Sequence, residues 1–265
     1  MKVKLLTYTP IEVAYFSAKT CYSKKSPIEL VKEDTSSMEE KIKFLKKILS
    51  TGHYSTIEGV NFTFLIEGVS RSLMAQLTRH RIGIQFSIQS QRYVEYSEDN
   101  YNIYIPSSIK NNSEALKIYK EIQDECFRKY KVLMGINIPA EDARYVLTNA
   151  TCTNITMTVN LRELIHLAEL RLCNRASLEI RILLQHIKEE VLYKEPWLEN
   201  YITTNCEKDG FCKEAKSCGR KPKLSDILTS YNNDRLSKED SKQLKEACLN
   251  PKENKKLKQL LDNEN

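Results

Sequence analysis

The chain has 265 residues, enough to bury a substantial core in one large domain or in one domain with an appendage. Its 41 Lys and Arg exceed its 35 Asp and Glu by a formal charge of +6, a modest excess that permits an anionic ligand without demanding nucleic acid. No apolar run is long enough for a membrane span and the first residues do not read as a signal peptide, so a cytoplasmic protein with no membrane attachment is expected. Eight cysteines are too sparse here for a disulfide framework and read as thiols in a reducing compartment.

Met38, Ile42, Leu45 and Leu49 recur at helical spacing ahead of Gly52, and predict an amphipathic helix over 38–50 closed by that glycine. Val60 to Ile66 mixes β-branched and aromatic residues in partial alternation and predicts a strand that Gly68 breaks. Val69, Leu73 and Leu77 then form a helical stripe, with Ser72, Gln76, Arg79 and His80 on another face. Residues 82–95 are poor in helix formers and rich in Gln, Ser and Tyr, and 101–105 reads as extended up to Pro106. Leu116, Tyr119, Ile122, Cys126, Tyr130 and Leu133 mark a long helix. Pro139 followed by Glu141 and Asp142 marks the start of another, with the acids at the positive end of its dipole.

Thr151 to Val159 is dense in Thr, Ile and Val and predicts a strand. Asn160 then caps a helix with Glu163 as its capping-box partner and Leu161, Leu164, Ile165, Ala168 and Leu172 as its apolar side. A last helix covers about 178–194 and stops before Pro196. Strands and helices interleave without regular βαβ units, which predicts an α+β fold with a central, mostly antiparallel sheet flanked by helices. From about Lys221 opposite charges nearly cancel, so the expected organisation is a main domain over 1–220 and a Lys/Asn/Glu-rich extension over 221–265. That extension reads as a solvated appendage with helical potential at 241–249.

Chemistry concentrates in two places. Arg79, His80 and Arg81 put three potential cations in a row at a helix end, and Ser90, Gln91, Arg92 and Tyr93 follow across a segment poor in acids. A solvated basic helix end is one reading. The other is a phosphate or pyrophosphate site, since the rigid fork of arginine suits a dianion. Asn160, Arg162, His166 and Arg171 form the second group, with Arg162, His166 and Glu169 on one helical face. That face either pairs Arg162 with Glu169 in solvent or lines a cleft. His53, by itself, reads as structural. Cys206, Cys212 and Cys218 read as free thiols in a loop, because zinc sites usually show closer Cys pairs and a fourth ligand; no metal site is expected.

At these residues the chain resembles the flavin-dependent thymidylate synthases, the thymidylate synthase complementing protein family. Arg79-His80-Arg81, a short spacer, then Ser90 and Arg92 are similar to the family signature. Gly52-His53-Tyr54-Ser55-Thr56-Ile57-Glu58 resembles its upstream block, Glu141 to Leu147 its central Arg-containing helix, and Asn160 to Leu164 with His166 and Arg171 its active-site helix. The four blocks occur in the family's order and cover roughly residues 1–200. The resemblance implies reductive methylation of dUMP to dTMP, with FAD as cofactor, methylenetetrahydrofolate as carbon donor and NADPH as reductant. It implies that His53, Ser55, Glu58, Arg79, His80, Arg81, Asn160, Arg162 and His166 contact FAD. It implies further that Gln76, Arg79, Ser90, Gln91, Arg92, Arg144 and Arg171 hold dUMP, and that the enzyme is a homotetramer with active sites shared between subunits. Arg171 then serves catalysis by stabilising negative charge on the uracil ring. Ser90 has no identifiable base beside it and is assigned to binding. Arg79, Arg144 and Arg171 are expected to converge in one cleft, from one chain or several.

The spacer between Arg81 and Ser90 holds eight residues where the family pattern has seven, Ile88 stands where relatives carry Glu or Gln, Gly59 replaces a histidine and Thr148 a proline. These departures motivate a rival, a diverged flavin-binding paralogue with weak or absent synthase activity. A nucleic-acid-binding module is a rival of another class, disfavoured by the nearly balanced charge and the lack of a binding motif; no nucleic-acid partner is expected.

Overall fold

The structure, a computed structural model, describes residues 1–234. The helical stretch expected at 241–249 and much of the 221–265 extension lie outside the described residues. The chain divides into two compact units, the first being Met1–Thr204 and the second beginning at Asn205.

Four strands carry the first unit: β1 (Lys2–Tyr8), β2 (Asn61–Ser70), β3 (Ile84–Ile88) and β4 (Cys152–Asn160). They form one antiparallel sheet in the order β1-β2-β4-β3. Period-two alternation sends Phe62, Phe64, Ile66, Ile155, Met157 and Val159 to one face, where all six are buried. Ile84, Phe86 and Ile88 of β3 follow them against the same core. Each such side chain, fully buried, contributes about 1.5–3 kcal/mol. Thr63, Leu65, Thr156 and Thr158 point the other way, and Thr63 hydrogen-bonds Thr158 across the strands at 3.0 Å.

The apolar face is covered by helices: α1 (Glu12–Tyr22), α3 (Met38–Ser50), α8 (Leu161–Arg171) and α9 (Leu178–Lys194) all contribute buried residues to the core. Between them lie α2 (Pro27–Lys32), α4 (Arg71–Leu77), α5 (Ser107–Lys110), the long α6 (Ser113–Gly135) and the single turn α7 (Ala140–Ala143). The expected α+β architecture is borne out. Helix α3 spans the range its apolar spacing predicts, closed by Gly52 at φ 84°.

Gly68 behaves differently from expectation. It does not end the strand: β2 continues to Ser70 through a register shift between Ile66 and Val69, with Gly68 at φ 72°. A positive-φ glycine serves a bulge as readily as a strand end, and pairing with β4 decides between the two. The spacer also resolves: β3 pairs without a register shift against 155–159, so the longer spacer is not accommodated by a bulge within that strand. Ile88 packs against the core and is not on the open face of the sheet.

A second apolar cluster joins Tyr96, Tyr130 and Ala143, with Tyr101 stacked on Phe127 at 4.1 Å between ring centroids. It fastens the segment after β3 to α6 and α7. The second unit holds α10 (Asn205–Asp209), an isolated bridge between Cys212 and Lys223, and α11 (Leu224–Asp234). The described residues contain no group of three or more His, Cys, Asp or Glu arranged to hold a metal ion.

Candidate functional site

Helix α4 is capped by Ser70, whose Oγ accepts the Leu73 N–H at 2.9 Å, and it ends at Leu77 with Thr78 as its C-cap. Arg79, His80 and Arg81 therefore lie in the turn that leads into β3, beyond the helix on which the apolar spacing placed Arg79 and His80. One contact and one backbone angle aim this turn. The Asn160 N–H donates to the Gly83 carbonyl at 2.8 Å, and Gly83 adopts φ 70°. A Cβ on Gly83 would sit 2.5 Å from Asn160 Nδ2. Glycine is required twice over, for its backbone angle and for the close approach. We expect Gly83→Ala to destabilise the protein by about 2 kcal/mol or more, combining left-handed strain with displacement of the cap of α8. Thermal denaturation with an unchanged melting temperature would contradict this.

His80 is the centre of the site. Arg171 Nε donates to His80 Nε2 at 3.1 Å, and His80 Nδ1 lies 2.9 Å from Glu163 Oε1. Arginine only donates, so Nε2 is the acceptor and the imidazole proton sits on Nδ1, directed at the carboxylate. The His80 pKa is lowered by burial, with Arg171 and His166 adding to the effect and Glu163 opposing it. Burial likewise lowers the proton affinity of Arg171, and the neighbouring positive charge of Arg79 lowers it further. Arg79 and Arg171 thus share one region, while Arg79 and Arg81 are exposed and make no ion pair among the described residues.

The capping-box expectation for Glu163 is corrected here. Asn160 Oδ1 does accept the Glu163 N–H at 2.8 Å, but the Glu163 carboxylate goes to His80 and does not return to the Asn160 backbone. Gln76 Oε1 accepts from Ser177 Oγ at 2.8 Å.

Next to this lies the His53–Glu58 turn. Glu58 pairs with Arg162, so the alternative pairing of Arg162 with Glu169 is not the one formed. His53 is within 3.5 Å of the Tyr22 hydroxyl, Ser55 is exposed, and His166 extends from α8 with its ring 6.2 Å from that of His80.

A separate group forms around Glu141. Arg92 Nε is 2.6 Å from Glu141 Oε2, and Arg144 Nε donates to the Glu141 carbonyl at 2.9 Å. Ser90 Oγ accepts the Arg92 N–H at 3.1 Å, and Gln91 reaches the Tyr96 hydroxyl at 3.5 Å. The structure thus brings Arg79 and Arg171 together, and Arg92 and Arg144 together, without a described contact between the two groups.

Two neighbours escaped the sequence reading. Arg71 Nη2 donates to the Gln89 carbonyl at 2.9 Å and fixes the backbone one residue before Ser90. The available signal was a cation in the first turn of a helix, where the dipole disfavours it unless a tertiary partner compensates. Glu141 reads from the sequence as a helix-start acid and as the first residue of the Arg-containing block, with nothing to mark it as the partner of Arg92.

The result is an α+β scaffold carrying clustered, largely unneutralised guanidinium groups beside a neutral imidazole, the equipment of a protein that binds phosphorylated ligands. Residues 4–197 match the family described as thymidylate synthase complementing protein. A flavin-dependent thymidylate synthase from Geobacter sulfurreducens is 42% identical over 185 residues, covering 69% of this chain and 78% of its own. Another from Clostridium tetani is 38% identical over 247 residues, covering 86% and 96%. The crystal structure of thymidylate synthase X from Helicobacter pylori, with FAD and dUMP, aligns with a TM-score of 0.55 at 23% identity over 75% of this chain and 100% of that one, a likeness that concerns the fold. This chain belongs to the thymidylate synthase complementing protein family.

Proposed function

We propose that the chain is a flavin-dependent thymidylate synthase that converts dUMP to dTMP in the cytoplasm, with FAD as cofactor, methylenetetrahydrofolate as carbon donor and NADPH as reductant. The observation that carries this is the cluster on His80: Arg171 Nε donates to His80 Nε2, the Glu163 carboxylate that could have neutralised it is engaged by His80 Nδ1, and the positive charge of Arg79 acts on the same guanidinium. Such a site has an electrostatic deficit that a nucleotide phosphate or a pyrophosphate fills. The donor set fits a flavin dinucleotide, because Arg79 and Arg81 are exposed cations that make no ion pair among the described residues, and His166, whose ring lies 6.2 Å from that of His80, and Asn160, whose N–H meets the Gly83 carbonyl, add polar groups to the same turn. When bound, the flavin supplies the hydride that completes the methyl group.

The chain's own work is binding and polarisation. Gln76, Arg79 and Arg171 hold one side of dUMP, and Arg171 stabilises negative charge as it develops on the uracil. Ser90, Gln91, Arg92 and Arg144 hold the phosphate of a nucleotide shared with another subunit. That division explains why the two arginine groups stand apart within one chain. Ile82, Tyr93 and Tyr145, each following a site arginine, are 86%, 79% and 80% exposed. Large apolar side chains so placed favour burial against a second copy, as in a homotetramer with shared sites. No helix among the described residues is long and apolar enough to cross a membrane.

The test is purification followed by a visible spectrum and NADPH oxidation with and without dUMP. We expect a yellow protein, dUMP-dependent NADPH oxidation and dTMP formed from methylenetetrahydrofolate. A flavoprotein that ignores millimolar dUMP would identify the paralogue instead, and a colourless protein indifferent to added FAD would overturn the reading.

A further inference from the structure

Glu163 stands at the third position of α8, where an acid ordinarily serves the helix. Its carboxylate instead meets His80 Nδ1 at 2.9 Å, and both side chains are nearly buried, 13% and 7% exposed. On the far side of the ring, Nε2 accepts from Arg171 Nε at 3.1 Å. The three groups form a chain of fixed polarity. A carboxylate can only accept, so it selects the Nδ1–H tautomer; that tautomer leaves a lone pair on Nε2; the lone pair fixes Nε of Arg171 and leaves its two terminal nitrogens for other partners. The opposite tautomer would set an N–H against an N–H. His166 and Arg79 also face this cluster, and neither supplies an acceptor to Nδ1.

We propose that Glu163 is a positioning residue for the methylation site: through His80 it orients the guanidinium of Arg171 toward the nucleotide. The inference rests on the reading of Arg171 as a dUMP contact. A purely helical role for Glu163 would depend on its charge, whereas the relay depends on an acceptor at Nδ1. Two variants separate these roles. Glu163→Leu removes both charge and acceptor, and Glu163→Gln removes the charge but retains an amide oxygen for the same N–H.

The experiment measures dUMP binding to the full-length holoprotein by calorimetry, melting temperature, and the imidazole nitrogen spectrum of His80, one of only four histidines. We expect His80 to be protonated on Nδ1 in the wild-type protein and in Glu163→Gln. We expect Glu163→Gln to bind dUMP nearly as the wild type does, and Glu163→Leu to bind about tenfold or more weakly. Equal affinity of the two variants, whether both intact or both weakened, overturns the relay. So does a wild-type His80 protonated on Nε2, a result that needs no variant to fold. Arg171→Ala, measured alongside, separates the two levels of failure. Unchanged dUMP affinity there removes the reading of Arg171 itself, whereas weakened binding there with equal Gln and Leu variants removes only the role of Glu163.

Discussion

Replacement of Arg171 by alanine is expected to lower turnover to dTMP by roughly a hundredfold to a thousandfold, the usual loss when one preorganised donor to a developing anion is removed. Two structural facts support a figure this large. The guanidinium is held by His80 Nε2, so little reorganisation is needed at the moment charge develops, and it lies in partly buried surroundings where its charge is less screened. Arg171→Lys is expected to fail nearly as badly. An ammonium group cannot both donate to His80 in the plane of the ring and present a two-pronged fork to a substrate. Steady-state turnover at saturating dUMP decides the matter, with the flavin spectrum verifying that cofactor is still bound; wild-type turnover in Arg171→Lys would contradict the assignment.

The same geometry sets an acid limit. Protonation of His80 places a hydrogen on Nε2, where Arg171 already donates, so dUMP binding should weaken as pH falls through the folded-state value, which burial holds below the ordinary histidine value of 6.5. The groups facing the ring are Glu163, which raises its proton affinity, and Arg171 and His166, which lower it. The sign for stability is the same. A folded-state pKa below the unfolded one means that the contribution of the neutral imidazole is complete above 6.5 and is lost as pH falls toward the lower folded-state value. A binding profile flat through the acid range would exclude His80 as the partner of Arg171.

How much of this was readable in advance depended on whether each signal was local. Helices α3, α6, α8 and α9 follow from apolar residues three and four apart and from nearby cap residues, because a helix closes its hydrogen bonds within itself. Gly68 was misread because a left-handed glycine is compatible with both a strand end and a bulge, and the partner that decides, β4, lies far along the chain. Glu163 shows the same limit in the site: local rules for helix starts explain its backbone N–H but not its carboxylate, which a distant histidine captures. Arg79 and His80 were read on a helix that α4 does not extend to include. The cationic character of the site was plain in the sequence. The division of its arginines into one group around His80 and another around Glu141 was not, since it depends on how the Tyr96–Tyr130 cluster seats the segment after β3.

The largest stability effect is expected away from the ligands, at Glu179. This carboxylate is 7% exposed, near the start of α9, and accepts from the Ser70 N–H at 2.7 Å and the Ser70 hydroxyl at 2.6 Å. Ser70 in turn caps α4, the helix that carries Gln76 and leads into Arg79 and His80. Burial of the Cys152 thiol, followed by the negative charge of Glu179, pushes its pKa up to about 11, which marks how poorly solvated this corner is. Glu179→Ala strands the Ser70 N–H and O–H without partners, at about 1–3 kcal/mol each, and opens a cavity besides. We expect a total of about 4 kcal/mol, a large share of the 5–15 kcal/mol typical of a folded domain. Glu179→Gln keeps one acceptor oxygen and the side-chain volume, so it should lose roughly half as much. Urea denaturation followed through Trp197, the only tryptophan, reads both values. If Glu179→Ala unfolds at the wild-type midpoint, the hydrogen bonds to Ser70 contribute nothing. Helix α4 is then held by the packing of Leu73 and Leu77 and by the contacts of Arg71 and Gln76, and the loop that presents Arg79 and His80 does not depend on Glu179.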